Sequence, residues 1–400
     1  MLHIALPAMG ETANLAQFFS CMQKQTFRNF KLYVCINQYE SWWNDSEKFH
    51  YCLDNEKSLR ILSSKSVEVE IIDKSSKGLG WPNKKGGVGW ARKVLMDRIA
   101  KEDKSGIIVS MDADTLYPED YLKSVSDYFK QYPESVGLSI PYFHTLAGDD
   151  TDRHILRYEI YMRYYALNMI RIENPYSFTA LGSAMALPIW AYNKIGGMTP
   201  VKSGEDFYLL QKLVKNGAVG KWINTKAFPA SRYSDRVLFG TGPALIKGAK
   251  GDWDSYPVYQ PTFFDMVKET YDLFPDLYEK DVDTPMSVFL SEQFKTDDLW
   301  GPLRNNYKDR ENFIKACMNK VDGLRILQFL RYQKNKSEPI HDEFVLKEFM
   351  QTNFAAKMDS GLQQIIEKLS FRTSAIEELD MLRRFLYIQE MNLRKAAGSM

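Results

Sequence analysis

With 400 residues and 44% apolar content, the chain is long enough for one large α/β domain and a smaller appendage, and too apolar for a disordered protein. Lys and Arg number 52 against 51 Asp and Glu, so a net charge of +1 supplies no field to draw in a polyanion, which argues against a nucleic-acid partner. The cysteines Cys21, Cys35, Cys52 and Cys317 form no C-x-x-C pair, and suit reduced thiols of a cytoplasmic protein better than a disulfide frame or a zinc site.

The N-terminus, MLHIALPAMG, has no basic region and runs straight into a first strand, so a cleaved signal peptide is not expected. Short apolar runs alternate with amphipathic helices to about residue 225, the pattern of a mainly parallel sheet with helices on both faces. Strands are expected at residues 3–6, 31–37, 67–73, 106–112, 136–140 and 183–187. Leu15, Phe18, Phe19 and Met22 recur at helical spacing between the first two. After the fourth strand, YPEDYLKSVSDYF predicts a helix with Pro118 near its first position and Leu122, Val125 and Phe129 on one side. Another helix is expected over 205–216, stopped by Gly217. Beyond Pro257 the β signal fades, which divides the chain into an α/β domain over 1–256 and a helical region over 257–400. No apolar run reaches the roughly 18 residues of a membrane span. An amphipathic stretch such as ELDMLRRFLYIQEM leaves peripheral membrane contact open, beside a packing face or a homodimer through the C-terminal helices.

Ligands of a parallel sheet collect at the carboxyl ends of its strands, so acidic residues there matter most. GIIVSMDADT supplies Asp112 and Asp114, which project to one side if the extended geometry continues and so could meet one Mg²⁺ or Mn²⁺ ion together with a diphosphate. The plainer alternative is an Asp that caps the helix near Pro118. A second acidic pair, Glu205 and Asp206 in SGEDFYLLQKL, opens a helix, where acidic residues also serve the helix dipole. A transfer to a hydroxyl needs one carboxylate to take its proton, and Asp206 is assigned that role, with Glu205 orienting the acceptor. GGVGWAR is not a dinucleotide fingerprint, because Arg92 stands where the third glycine would be.

In order along residues 1–240, ALPAMGE, GGVGWARK, MDADT and IGGMTPVKSGED resemble the motifs of glycosyltransferase family 2, the inverting family with the GT-A (nucleotide-diphospho-sugar transferase-like) fold. The resemblance implies a nucleoside pocket lined by Pro7, Ala8, Glu11, Asp73 and Arg92, with Asn37 in place of an acidic residue at the end of the second strand. It implies Asp112 near the ribose or diphosphate and on the metal side, Asp114 on Mn²⁺ or Mg²⁺, and Asp206 as base. Arg236 keeps part of the arginine motif of processive members, and with Arg232 could clamp phosphates bidentately. Trp190 and Gly197, around IGGM, are acceptor-side candidates. Implied partners are a nucleotide-sugar donor and a saccharide, lipid-linked or other hydroxyl acceptor. A retaining GT-A transferase and a non-catalytic nucleotide-sugar-binding scaffold are the alternatives. His341 is the sole histidine after Asp206, so no third protein ligand is assigned, and His144 and His154 are expected to pack or lie at the surface.

Overall fold

The computed structural model describes residues 1–63, 69–234 and 240–397. It contains two compact units: one comprises Met1–Tyr158, Phe178–Trp253 and the chain from Met391 onward, the other Glu159–Ser177 and Asp254–Glu390.

The first unit holds strands β1 (Leu2–Ala8), β2 (Phe30–Asn37), β3 (Val69–Lys74), β4 (Ile107–Ser110), β5 (Thr115–Leu116), β6 (Gly137–Ser139), β7 (Met185–Pro188), β8 (Val219–Gly220) and β9 (Phe228–Pro229). Seven of them form one sheet in the order β3-β2-β1-β4-β7-β6-β8, while β5 and β9 pair separately. Neighbours run parallel except β7, which is antiparallel to both β4 and β6. Helices α1 (Thr12–Lys24), α2 (Phe49–Ser63), α3 (Val88–Glu102), α4 (Tyr121–Gln131), α5 (Thr151–Arg171), α6 (Ile189–Lys194), α7 (Glu205–Val214) and α8 (Thr241–Ala249) follow in chain order, α5 continuing into the second unit. The expected α/β architecture, a mainly parallel sheet flanked by helices and followed by a helical C-terminal region, is therefore present.

All seven residues of β1 are buried because a central strand covered on both faces must be apolar throughout. The stripe Leu15, Phe18, Phe19 and Met22 of α1 packs into the same core with Tyr117, Leu122, Val125 and Phe129. In the second unit the chain is helical from Pro261–Asp272 into Ile376–Ala397, the last helix continuing into the first unit from Met391. No helix among the described residues is long and apolar enough to cross a membrane.

Three local expectations are corrected. The strand carrying the acidic motif ends at Ser110, and the chain turns through Ala113 and Asp114, so Asp112 and Asp114 are not on one extended edge. The cause is Tyr117: its hydroxyl accepts from the Asp112 amide at 2.9 Å and donates to the Ser183 carbonyl at 3.1 Å, taking the backbone out of the ladder. The next helix begins at Tyr121, not near Pro118, because Gln25 clamps the turn before it, donating to the Pro118 carbonyl at 2.7 Å and accepting from the Leu122 amide at 2.9 Å. Helix α7 ends at Val214, and Gly217 answers close packing: a Cβ there would lie 2.6 Å from Val136 Cγ1.

Candidate active site

Helix α3 starts after Gly87, whose φ of 89° lies in the left-handed region open to glycine. Gly89 lies so near the Val201 carbonyl that a Cβ would stand 2.1 Å from its oxygen. This approach sets the first turn of α3 against the start of α7, and Arg92, one turn on, meets Glu205. The Arg92 guanidinium is 3% exposed and fully engaged. Nε donates to Glu205 Oε1 at 2.9 Å, Nη2 to Asp112 Oδ1 at 2.8 Å, and Nη1 to Ser110 Oγ at 2.6 Å and the Gly182 carbonyl at 2.9 Å. A Cβ on residue 182 would fall 2.3 Å from Nη2, so only glycine admits this arginine.

Three carboxylates, those of Asp112, Glu205 and Asp206, act on this one cation. Burial disfavours the charge of Arg92, yet their combined attraction holds it firmly protonated. Burial raises the Glu205 carboxyl, the Asp206 charge adds to this, and Arg92 opposes it. Asp206 is raised by burial too, against Arg92 and with help from the Asp112 charge. A single guanidinium cannot neutralise three acids, so proton affinity within the cluster rises. Asp206 is half-buried, with Oδ1 accepting from the Phe207 amide at 2.8 Å, and its Oδ2 has no hydrogen-bond partner among the described residues.

A second arginine holds two further acids. Arg232 Nη2 lies 2.5 Å from Glu11 Oε1 and 2.5 Å from Asp114 Oδ2, and its side chain is 34% exposed. Glu11 precedes α1, and its other oxygen accepts from Asn14 Nδ2. The two acids of the D-x-D motif thus face different arginines, Asp112 against Arg92 and Asp114 against Arg232.

The ends of β1, β2 and β3 carry the other expected donor-side residues. Pro7 and Ala8 are buried in β1, and the Ala8 carbonyl accepts from Asn37 Nδ2 at 3.0 Å. Trp81 Nε1 donates to Asn37 Oδ1 at 3.3 Å, so both ends of this amide are used inside the protein. Asn37 therefore ties β1 to β2 through these bonds. Asn55 extends the network, accepting from the Gly10 amide at 2.9 Å and donating to Gln38 Oε1 at 2.8 Å. Burial pushes the Asp73 carboxyl up, but hydrogen bonds from the amides and hydroxyls of Ser76 and Ser75 outweigh it and leave the carboxyl lowered.

No family model matches the sequence, and no curated protein does. Among solved structures, residues 1–349 of S. aureus TarS in complex with UDP-GlcNAc align with 97% of this chain and 91% of that one, at 12% identity and a TM-score of 0.40. The mannosyltransferase PcManGT from Pyrobaculum calidifontis, in complex with GDP-Man and Mn²⁺, aligns with 98% of this chain and 86% of that one, at 11% identity and a TM-score of 0.35. Identities this low, with TM-scores under 0.5, leave the chemistry to be read from the residues of the chain itself.

Those residues sort into groups the sequence did not separate. Glu11, Arg92, Asp112, Asp114, Glu205, Asp206 and Arg232 form the two arginine-centred clusters. Two placements bear on the expected roles: Arg92 spends its donors on protein acceptors, and Glu205, 4% exposed, faces Arg92. Trp190 and Gly197 lie elsewhere. The register Ile107↔Pro188, with the Ile189 amide donating to Gly106 at 3.0 Å, puts α6 beside the amino end of β4. Asp112 is five residues away at the other end, roughly 16 Å at a strand's rise per residue. Gly197 accepts at its carbonyl from Lys212, near the C-terminal end of α7. Arg236 lies outside the described residues. His144 is buried beside the Tyr142 ring and His154 stands against Trp253, as expected of packing residues. Sequence reasoning missed Tyr117, Ser110 and Gly182, and also the half-buried row Tyr39, Trp42 and Tyr51, whose rings stand 5.6 and 5.2 Å apart. The cluster of aromatics in residues 39–51 is visible in the sequence and was the available signal.

Proposed function

We propose that the chain is a GT-A glycosyltransferase of the family 2 type, which moves a sugar from a nucleotide-diphosphate donor to an acceptor hydroxyl with inversion. The observation that carries this reading is the convergence of five carboxylates on two arginines beside the carboxyl ends of β1 and β4. Five carboxylates, of Glu11, Asp112, Asp114, Glu205 and Asp206, share two guanidinium groups, of Arg92 and Arg232. A convergence of hard oxygen ligands where loops of a parallel sheet meet suits a diphosphate that arrives with its divalent cation.

Among the described residues no group of three or more His, Cys, Asp and Glu is placed to hold an ion alone. The donor set nonetheless fits Mn²⁺ or Mg²⁺, which bind through one or two carboxylates when phosphate oxygens complete the shell. Asp112 keeps its Oδ2 outside any hydrogen bond among the described residues, and Asp114 is the second ligand. A bound ion would supply charge neutralisation on the departing diphosphate. The protein's own part is acid–base and positional. Asp206 takes the acceptor proton at Oδ2, and its raised proton affinity suits that task. Glu205 is a positioning residue that fixes Arg92, which in turn fixes Asp112. Residues 1–256 are the transferase domain in this reading, and the helical region over 257–400 serves the acceptor or a partner.

The test is incubation with a panel of UDP- and GDP-sugars and Mn²⁺, with and without simple saccharide acceptors. Metal-dependent release of nucleoside diphosphate is expected for one donor class, with an inverted anomeric product by NMR. Retention of configuration would establish the retaining alternative, and no release from any donor would overturn the enzyme reading.

A further inference from the structure

Arg232 is the one guanidinium of the cluster that is a third exposed, and it bridges two carboxylates that start 103 positions apart in the chain, Glu11 and Asp114, with the same nitrogen. Each contact is 2.5 Å, so Nη2 stands between the acids as a metal ion would. Burial works against the charge of Arg232, and Asp114 and Glu11 outweigh it. Arg92 is different: its donors reach four protein acceptors and it is buried, so nothing in its surroundings offers a route out.

We propose that Arg232 is an internal counter-ion that keeps Asp114 closed to free divalent cations, and that it exchanges the two carboxylates for the donor's phosphates when a nucleotide diphosphate enters. The inference rests on the reading of Asp114 as a ligand of a diphosphate-borne cation. The physical reason is that a guanidinium and a divalent ion compete for the same carboxylate oxygens. Placing both there without an added anion sets like charges a few ångströms apart. A diphosphate removes the conflict, because it gives the guanidinium a bidentate acceptor and the ion its missing oxygens. Glu11 has a defined part in this scheme. It is the second anchor that holds the guanidinium over Asp114 while the site lacks donor, and so it positions Arg232 without touching the ion. Metal and nucleotide then bind in a coupled manner, each raising the affinity for the other by the same factor.

The test measures Mn²⁺ binding by titration calorimetry or EPR on the full chain, with and without UDP and GDP, for the native protein and for Arg232→Gln, Arg232→Lys and Asp114→Asn. In the absence of nucleotide, Arg232→Gln is expected to bind Mn²⁺ about tenfold or more tightly than the native protein, since the positive charge 2.5 Å from both acids is removed. Arg232→Lys, which keeps the charge, should stay near the native affinity, and a native circular dichroism spectrum establishes that each variant is folded. Coupling between Mn²⁺ and nucleotide should shrink in Arg232→Gln by the same factor. Equal Mn²⁺ affinity in Arg232→Gln and the native protein, with nucleotide-dependent Mn²⁺ binding intact, overturns the counter-ion role while the ligand role of Asp114 stands. Nucleotide-dependent Mn²⁺ binding that survives in Asp114→Asn overturns the ligand role itself, and the inference with it.

Discussion

Each unit of the chain buries arginines among acids, and the two sets are built on opposite plans. In the helical unit, Arg163 donates to Glu159 at 2.7 Å and to Glu390 at 2.9 Å, Arg383 meets Glu159 and Asp380, and Arg384 meets Asp380 at 2.8 Å. Glu159, Arg163, Arg383 and Glu390 are each at most 1% exposed, while the Arg384 side chain is 63% exposed at the rim. In the α/β unit, Arg92 and Arg232 meet acids of a cluster in which Asp112, Asp114, Asp206 and Arg232 keep some exposure. A sealed network must balance its charge, because any remainder stands in low dielectric. An open one stays within reach of solvent and of a ligand. Full burial marks the structural set, and retained exposure of its acids marks the candidate site.

Breaking the sealed network should have the largest effect. Arg163→Met removes a guanidinium from both Glu159 and Glu390 out of water, and a loss of about 3–5 kcal/mol is expected in the unfolding free energy from urea titration. A loss below about 1 kcal/mol would show the network to be dispensable. The corresponding break in the open cluster should act on turnover and spare stability. Asp206→Asn is expected to lower transfer by about 10²- to 10⁴-fold with donor affinity nearly unchanged. Because the Asp206 carboxyl is raised in the fold, its ionised form costs stability above the unfolded value near 3.8, and that cost vanishes as pH falls. Asp206→Asn should therefore be no less stable than the native protein at neutral pH; a drop in melting temperature would contradict the raised proton affinity.

The same shift sets the pH dependence of activity. A base must be ionised, and a raised value moves the acid limb of kcat/KM above the ordinary aspartate range. A limb at or below pH 4 would remove Asp206 from the role. A smaller effect sharpens how the cluster is held. Tyr117→Phe removes the hydroxyl that meets the Asp112 amide and the Ser183 carbonyl, at a cost of about 1 kcal/mol, with donor KM rising more than kcat falls. The smallest change belongs to Trp190→Ala. This side chain is 40% exposed at the opposite end of the sheet, so transfer should be unchanged and stability altered by less than about 0.5 kcal/mol. A large loss of activity would restore Trp190 to the acceptor side.

What the linear chain made legible follows from periodicity and local chemistry. Alternating apolar runs announce the strands, the stripe from Leu15 to Met22 announces α1, and an acidic pair after a glycine marks the start of α7. Asp112 is the first charge after the buried apolar run of β4, two residues beyond its end at Ser110. These signals are carried by neighbours within a turn or a few strand residues, and so they survive without an alignment or a fold.

Tertiary structure alone decided the partners. Arg92 finds Glu205 across 113 positions, and Arg232 finds Glu11 across 221, distances over which no local pattern persists. The reversal of β7 was equally hidden. An apolar run of four residues reads the same in either direction, yet its direction sends Trp190 and Gly197 to the far end of the sheet. Asn37 and Glu205 show the same limit at the level of single side chains: their positions along the chain were read correctly, but their roles depended on which buried donors lay opposite. Residue type and spacing determined which chemistry this protein could hold, because charge and periodicity are local properties. Which acids share which arginine, and so where the acids converge, was decided by packing, because only folding brings distant residues within a hydrogen bond.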